Sequence, residues 1–435
     1  MLVEFRVSNY RSIAREQVLS LVPSTAQSDY PDNILRRDKF AGLNVVALYG
    51  PNNSGKSNLL RSIQMLSRLV VLSSASNSTE NLPYDPNLLV QGFAQQPTSF
   101  EVTFITNGNR YRYGLQYDRQ QVQSEWLFRK RVGREVELFY REGETIQVSS
   151  GFKGRARLID TAVSATRANG LFLSSCDMLN VEEAKVIFAW FKTLINHDTV
   201  TNAQVGSVNT LRLLASSAEM KAKIVEHLKR LDLGFIDIVV LKRKFDPATL
   251  PDSLDQNMRE SLVNQLSDKT GLQPNTVRQV YTEKGEQSEE QIMWPLYERE
   301  SAGTQSAFSL SGPVVYALMN GGTLIVDEIE AKLHTDITTK IVKLFLSKKT
   351  NPKHAQLIFA THDTNLLKRV PLRRDQINFI DLGKAKSTEL YTLSDFRYFS
   401  GNKERPDTDK EKRYLEGRYG AVPTIKSFAD LFQAK

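Results

Sequence analysis

Residues 50–57 read Gly-Pro-Asn-Asn-Ser-Gly-Lys-Ser, and no other stretch constrains the fold as much. The preceding segment, Leu43 to Tyr49, is apolar and partly β-branched, as expected of a buried parallel strand. The following segment, Asn58 to Leu72, places Leu59, Leu60, Ile63, Leu66 and Leu69 at helical spacing. Strand, glycine-rich turn and helix in this order predict a P-loop that wraps the phosphates of a nucleoside triphosphate. Gly50 and Gly55 let the backbone curl through Asn53 so that its N–H groups converge on the phosphates. Lys56 can reach the β- and γ-phosphates, and the Ser57 hydroxyl can join the shell of a Mg²⁺ ion. The helix adds the positive end of its dipole. The ligands expected here are therefore ATP and Mg²⁺.

At 435 residues the chain can form one large domain or two medium ones. Its 40% hydrophobic and 24% charged residues are those of a soluble globular protein. No apolar run approaches a membrane span, and the opening Met-Leu-Val-Glu-Phe-Arg-Val lacks the long apolar stretch of a signal peptide. One cysteine, Cys176, excludes an internal disulfide framework and a cysteine-rich zinc site, which fits a reducing cytoplasm. The formal charge of +8 is spread widely; it permits nucleic-acid contact without demanding it.

Residues 2–7 alternate as a strand, Asn9-Tyr10-Arg11-Ser12 form a polar elbow, and Glu16–Leu21 form a second strand. Residues 99–140 predict an antiparallel β region whose first hairpin turns at Asn107-Gly108. There, Arg110-Tyr111-Arg112-Tyr113 suits either nucleic-acid stacking or a strand with one buried face; the alternation favours the strand. Residues 180–235 read as mostly helical, with helices at Val181–Ile195 and Ala218–Leu231 and no sustained heptads. Short strands at Ile236–Leu241, Val277–Thr282 and Glu290–Pro295 surround a polar helix near Leu254–Lys269. From Ser301 the α/β character returns: a helix at Gln305–Met319, a strand at Thr323–Asp327, a helix at Ile337–Ser347, and strands at Gln356–Ala360 and Gln376–Asp381. The domains expected are an N-terminal lobe (1–175), an inserted, mainly helical region (176–299) and a C-terminal lobe (300–435).

The apolar strand Thr323–Asp327 ends on two carboxylates. Asp327 suits a Mg²⁺ that bridges nucleotide phosphates, and Glu328 suits polarising the attacking water. The next strand ends in Thr361-His362, where His362 can reach a γ-phosphate and report its presence. Ser301-Ala302-Gly303-Thr304-Gln305 opens a helix, so Ser301 and Gly303 form a second phosphate-binding feature. One site does not need two such cradles. The economical reading is that this cradle serves the nucleotide of a second copy, giving a homodimer or higher homo-oligomer joined through its ATP sites.

In this order, the motifs resemble those of the ABC-type ATPase heads of the SMC, RecF and OLD group. They run from Phe5-Arg6-Val7-Ser8-Asn9-Tyr10-Arg11-Ser12, through the P-loop with Asn58 behind it and the degenerate signature Ser301–Gln305, to Asp327-Glu328. Glu330-Ala331-Lys332-Leu333-His334 resembles a D-loop and Thr361-His362 a switch. Within the group, Lys412 to Pro423 and Ser124-Glu125-Trp126-Leu127 resemble the RloA/AbiL-type ATPases. The resemblance implies an α/β P-loop NTPase of head type: a mixed sheet with an antiparallel β subdomain, an inserted helical region and no long coiled coil. It implies that Lys56 and Ser57 bind phosphate and Mg²⁺, Asp327 supports the metal, Glu328 is the catalytic base and His362 is the switch. It also implies that Asn9, Arg11 and Ser12 line the nucleotide edge. The Leu-Ser-Gly-Gly-Gln form of the signature is missing, and Gln91, Gln95 and Gln96 are the candidates for a Q-loop glutamine.

OLD-type relatives carry a TOPRIM nuclease, but Asp407-Thr408-Asp409 follows no apolar strand and the remaining chain is too short for that domain. Any cutting is expected from a partner. The leading expectation is an ATP-hydrolysing sensor that controls a separate effector, a nuclease or toxin, in antiphage defence. The alternative is a RecF- or SMC-like DNA-repair or DNA-tethering ATPase.

Overall fold

Alternation in the first strand builds an antiparallel sheet. In β1 (Leu2–Ser8), Leu2, Phe5 and Val7 are buried while Glu4, Arg6 and Ser8 are partly exposed. The computed structural model describes residues 1–37, 39–198, 203–244, 256, 270–397, 405, 408–424 and 428. β1 pairs with β2 (Gln17–Ser20) on one side. β3 (Ile34–Arg37) and β4 (Phe40–Leu43) form a separate ribbon, and β5 (Val45–Tyr49) is the strand before the P-loop. On its other side β1 pairs with β6 (Thr98–Thr106), then come β7 (Asn109–Tyr117), β8 (Val122–Lys130), β9 (Val136–Glu142) and β10 (Thr145–Val148). The β6–β7 hairpin turns at Asn107-Gly108, both with positive φ, as its sequence predicts.

The second sheet has the order β11-β15-β16-β5-β17-β18. Its members are β11 (Leu194–Asp198), β5, β15 (Thr323–Asp327), β16 (Gln356–Ala360), β17 (Ile377–Leu382) and β18 (Thr388–Thr392). All pair in parallel except β18, which runs antiparallel to β17. Every residue of β5, β15 and β16 is buried, which explains their continuous apolar runs. The chain is thus an α/β protein with a mixed sheet and helical insertions.

β11 corrects the sequence reading, which continued a helix to Ile195. The helix Glu182–Phe191 ends earlier, and the Thr193 hydroxyl donates to Trp190 O (2.7 Å) at its last turn. Ile195 then pairs with Leu324 in β15. The apolar positions of Leu194 and Ile195 fit a helix and a strand equally well locally; the parallel neighbour decides between them. The expected helix near Leu254–Lys269 lies outside the described residues, apart from Gln256, as do Asp38 and Asp407. Among the described residues, no helix is long and apolar enough to cross a membrane.

The chain divides into two compact units. The first, Met1–Asp198, Ala317–Glu330 and Thr338–Lys435, holds both large sheets. The second, Thr199–Tyr316 and Ala331–Ile337, holds helices and the antiparallel sheet β12 (Asp237–Lys244), β13 (Thr270–Tyr281) and β14 (Gln287–Pro295). The helix Ala302–Asn320 contains Pro313, which cannot donate to the carbonyl four residues back. That carbonyl, Ser309 O, instead accepts from Thr210 Oγ1 (2.7 Å). Two residues further on, Ser311 Oγ donates to Ala307 O (2.6 Å) and so accepts from His227 Nδ1–H (3.0 Å).

Burial pushes the His227 imidazole down to about 4. A histidine held neutral in this way contributes stability that is complete above pH 6.5 and is lost as pH falls from 6.5 towards 4. Acid titration followed by circular dichroism should show this loss in the native chain. It should be smaller in His227→Gln, whose side chain does not titrate.

Candidate nucleotide site

The carboxyl ends of β5, β16 and β15 lie side by side, because Leu48 pairs with Ala360 and Phe359 with Val326. Ligands of open parallel sheets bind at such strand ends. Here those ends carry Gly50, Thr361-His362 and Asp327-Glu328. β16 separates the P-loop strand from the carboxylate strand, so His362 projects from the strand between them.

The P-loop turn depends on two glycines. At Gly50 a Cβ would collide with Ile380 O of β17. Gly55 has φ +107° and caps the helix Lys56–Leu72, and a Cβ there would strike the Thr388 hydroxyl and Ser12 Oγ. Asn53 adopts φ +65°, a conformation that asparagine tolerates better than most residues. The Lys56 ammonium is buried and donates to Gly50 O (2.8 Å) and Pro51 O (3.0 Å). Burial pushes its pKa down to about 8, opposed by Asp327, Glu328 and Glu330.

Those three carboxylates around one ammonium leave an excess of negative charge. A divalent cation fits that balance. Mg²⁺ characteristically takes one or two protein ligands and completes its shell with phosphate oxygens and water. Ser57, at the start of the helix, and buried Asp327, at the strand end, suit that role. Among the described residues no three His, Cys, Asp or Glu side chains converge as a closed metal cage.

Glu328 has φ +49°, a left-handed conformation that costs a non-glycine residue about 1–2 kcal/mol. Such an outlier at a strand end points to a functional constraint. Glu330 is a residue whose role sequence reasoning missed. Its carboxylate accepts from Thr361 Oγ1 (2.7 Å) and His362 N (2.6 Å), and so fixes the Thr361-His362 segment. Partial desolvation, then the Lys56 ammonium, holds the His362 imidazole below its usual pKa, against the pull of Glu330 and Asp327.

The elbow residues divide. Ser12 Oγ accepts from Asn58 Nδ2 (2.8 Å) and lies 2.8 Å from Thr388 Oγ1, which donates to Ser54 O (2.8 Å). Ser12 and Asn58 therefore brace the P-loop, and Thr388 is a second participant that its sequence did not reveal. Arg11 is ion-paired to Asp85 (2.7 Å). Asn9 is placed elsewhere than expected. It is buried, its amide donates to Phe93 O and Gln96 O, and its Oδ1 accepts from Asn87 N. Its side chain is spent on holding the 87–97 loop. Gln91, Gln95 and Gln96 are exposed in that loop.

In the second unit, Ser301 Oγ accepts from Thr304 N (3.2 Å) at the start of the helix Ala302–Asn320. Gly303 lies so close to Lys332 O that a Cβ would approach it to 2.8 Å. Glu300, just before the helix, accepts from Thr276 Oγ1 (2.6 Å), Arg278 Nε (2.9 Å) and Trp294 Nε1 (2.9 Å). The start of this helix is thereby anchored to the β13–β14 hairpin.

A family model described as "AAA domain, putative AbiEii toxin, Type IV TA system" matches residues 45–162 and 208–368, more than half of the chain. The chain belongs to this family. The matched segments include the P-loop, Asp327-Glu328 and His362. Among solved structures, the chain is similar to an SMC head bound to the C-winged helix domain of ScpA (11% identity, 90% of this chain, 97% of that one, TM-score 0.44). It is also similar to the SMC head domain from Thermotoga maritima (14%, 90%, 98%, 0.39) and to the recombination mediator RecF (14%, 90%, 98%, 0.29). A search of curated proteins finds no match.

Proposed function

We propose that this family member binds ATP with Mg²⁺, associates with a second copy through the bound nucleotide, and separates on hydrolysis. The observation that carries the reading is the alignment of Lys56, Asp327-Glu328 and the Glu330-braced His362 at three adjacent strand ends. Lys56 and the P-loop N–H groups bind phosphate. Ser57 and Asp327 hold the metal, which supplies charge neutralisation between phosphate oxygens. Glu328 takes a proton from the attacking water. His362, neutral at pH 7, donates its ring N–H to a terminal phosphate oxygen and registers its loss. Ser301 and Gly303 meet the γ-phosphate held by the other copy.

In this reading the lobes at 1–175 and 300–435 supply the site, and 176–299 is the inserted region. The output we favour is a RecF- or SMC-like hold on DNA, for which the formal charge of +8 is suited. A second output, control of a separate effector in antiphage defence, rests on the sequence resemblance alone; the family's description names a toxin of a toxin–antitoxin system.

Mass measurement by light scattering tests the assembly. ATP with Mg²⁺ should double the mass of the native chain. Ser301→Arg should keep ATP affinity within about twofold but abolish the doubling, since the guanidinium would fill the shared interface. A variant that still doubles removes the signature from the interface. ATP-dependent binding to duplex DNA that weakens steeply with salt supports the DNA output; binding indifferent to ATP and salt counts against it.

A further inference from the structure

The C-terminal motif Lys412–Pro423 has no part in the nucleotide chemistry above, yet it packs on the strands that carry it. Tyr414 lies in the helix Lys410–Leu415, whose start Asp409 caps by accepting from Lys412 N (3.0 Å). Its buried ring stacks on Phe379 of β17 (5.5 Å) and meets Tyr49 edge-on (5.8 Å). Tyr49 is the last residue of β5, directly before Gly50 of the P-loop. Tyr419 packs on the same Phe379 ring (5.4 Å), and its carbonyl accepts from Tyr391 OH (2.6 Å). Glycine is needed at 420, where a Cβ would come within 2.8 Å of that hydroxyl. Ala421 closes the clasp: its N–H donates to Asp381 Oδ2 (3.0 Å) and its carbonyl accepts from Tyr414 OH (2.8 Å). The helix Lys410–Leu415 is thus fixed against β5, β17 and β18.

That fixed helix presents Glu411 to the segment that follows β16. Glu411 Oε1 accepts from Thr364 Oγ1 (3.2 Å), two residues beyond His362. The His362 ring is exposed and makes no hydrogen bond among the described residues, so its aim is set by the backbone that carries it. Two carboxylates tie that backbone down. Glu330 holds Thr361 Oγ1 and His362 N on one side. The turn then continues through Asp363 N, which donates to Thr361 Oγ1 (3.0 Å), and Asp363 Oδ1, which accepts from Asn365 N (3.0 Å). Glu411 holds the far side of this turn at Thr364.

We infer that Glu411 is a positioning residue for ATP hydrolysis: by holding Thr364 it sets where the His362 ring meets the terminal phosphate. This role rests on the nucleotide reading of the site, and the aromatic clasp is what carries Glu411 there. Steady-state ATPase assays of the full chain, with ATP affinity measured by calorimetry, test it. Glu411→Ala should lower kcat about tenfold, the equivalent of one hydrogen bond to a charged group, and leave ATP affinity within about twofold. Glu411→Gln keeps a neutral, weaker acceptor of the same reach and should recover kcat to within about threefold. Thr364→Val removes the donor with little change of shape and should match Glu411→Ala, while the two changes together should be no worse than either alone. Both side chains are half-buried, so these variants should fold.

Amide hydrogen exchange across 361–366 reports the hold itself, without reference to turnover. It should quicken in Glu411→Ala and stay at the native rate in Glu411→Gln. A merely structural role would lower the melting temperature and leave kcat unchanged. Native kcat in Glu411→Ala, or additive losses in the double variant, overturns the assignment. Failure of the nucleotide reading looks different: the native chain would show no Mg²⁺-dependent ATP turnover that Lys56→Ala abolishes, and the role of Glu411 would fall with it.

Discussion

Glu328→Gln is expected to leave ATP binding intact and to cut turnover by about 10²–10⁴-fold, the range contributed by a positioned general base. Glutamine has the same length and shape, so the left-handed backbone at this position meets no new steric demand. It keeps a carbonyl that can orient water but cannot accept a proton at neutral pH. An ATP-bound assembly should therefore accumulate, visible as doubled mass that persists for many turnover times. Lys56→Ala should act at the other end of the cycle. It removes the buried ammonium that now caps Gly50 O and Pro51 O, and with it the charge that meets the phosphates. Nucleotide binding, measured by calorimetry, should be lost and no assembly should form. If Glu328→Gln hydrolyses ATP at the native rate, the base is another residue. If Lys56→Ala binds ATP normally, residues 50–57 are not the phosphate cradle.

What could be read from the sequence was local. The strand–loop–helix around Gly50–Ser57 and the apolar runs at 323–327 and 356–360 are continuous in the chain, and the structure has them where the pattern predicts. Sites assembled from distant segments left no such trace. Thr388 sits in a five-residue strand of ordinary alternation, and only the pairing of β18 with β17 brings it to Ser54 and Ser12. Glu330 reads only as the first residue of a segment resembling a D-loop, and its hold on Thr361 and His362 comes from the parallel pairing of β15 and β16. Asn9 shows the converse. A polar residue next to a motif suggested a ligand contact, but its positive φ and buried amide serve an internal loop.

Glu125→Ala should produce the largest loss of stability outside the nucleotide site, because it strips one carboxylate from three hydrogen-bond donors and a buried guanidinium. Glu125 lies in β8 and is fully buried. It accepts from Tyr113 OH (2.9 Å), Phe172 N (2.7 Å) and Leu173 N (3.0 Å), and Arg141, itself 1% exposed, stands 3.8 Å away. The two N–H groups belong to the first turn of the helix Phe172–Met178, where no neighbouring residue caps them with a side chain. Burial raises the Glu125 pKa despite these partners, so the ion pays heavily for its position. Truncation does not recover that cost. It leaves Arg141 without its counter-charge, and Tyr113 OH and the helix N–H groups without an acceptor. Breaking a buried ion pair from one side costs about 3–5 kcal/mol. Calorimetry should show the melting temperature falling by roughly 5 °C. Tyr113→Phe removes one of the donors instead of the shared acceptor and should cost only about 1 kcal/mol. Equal losses in the two variants would mean that Glu125 acts through Tyr113 alone and that the helix start finds other partners.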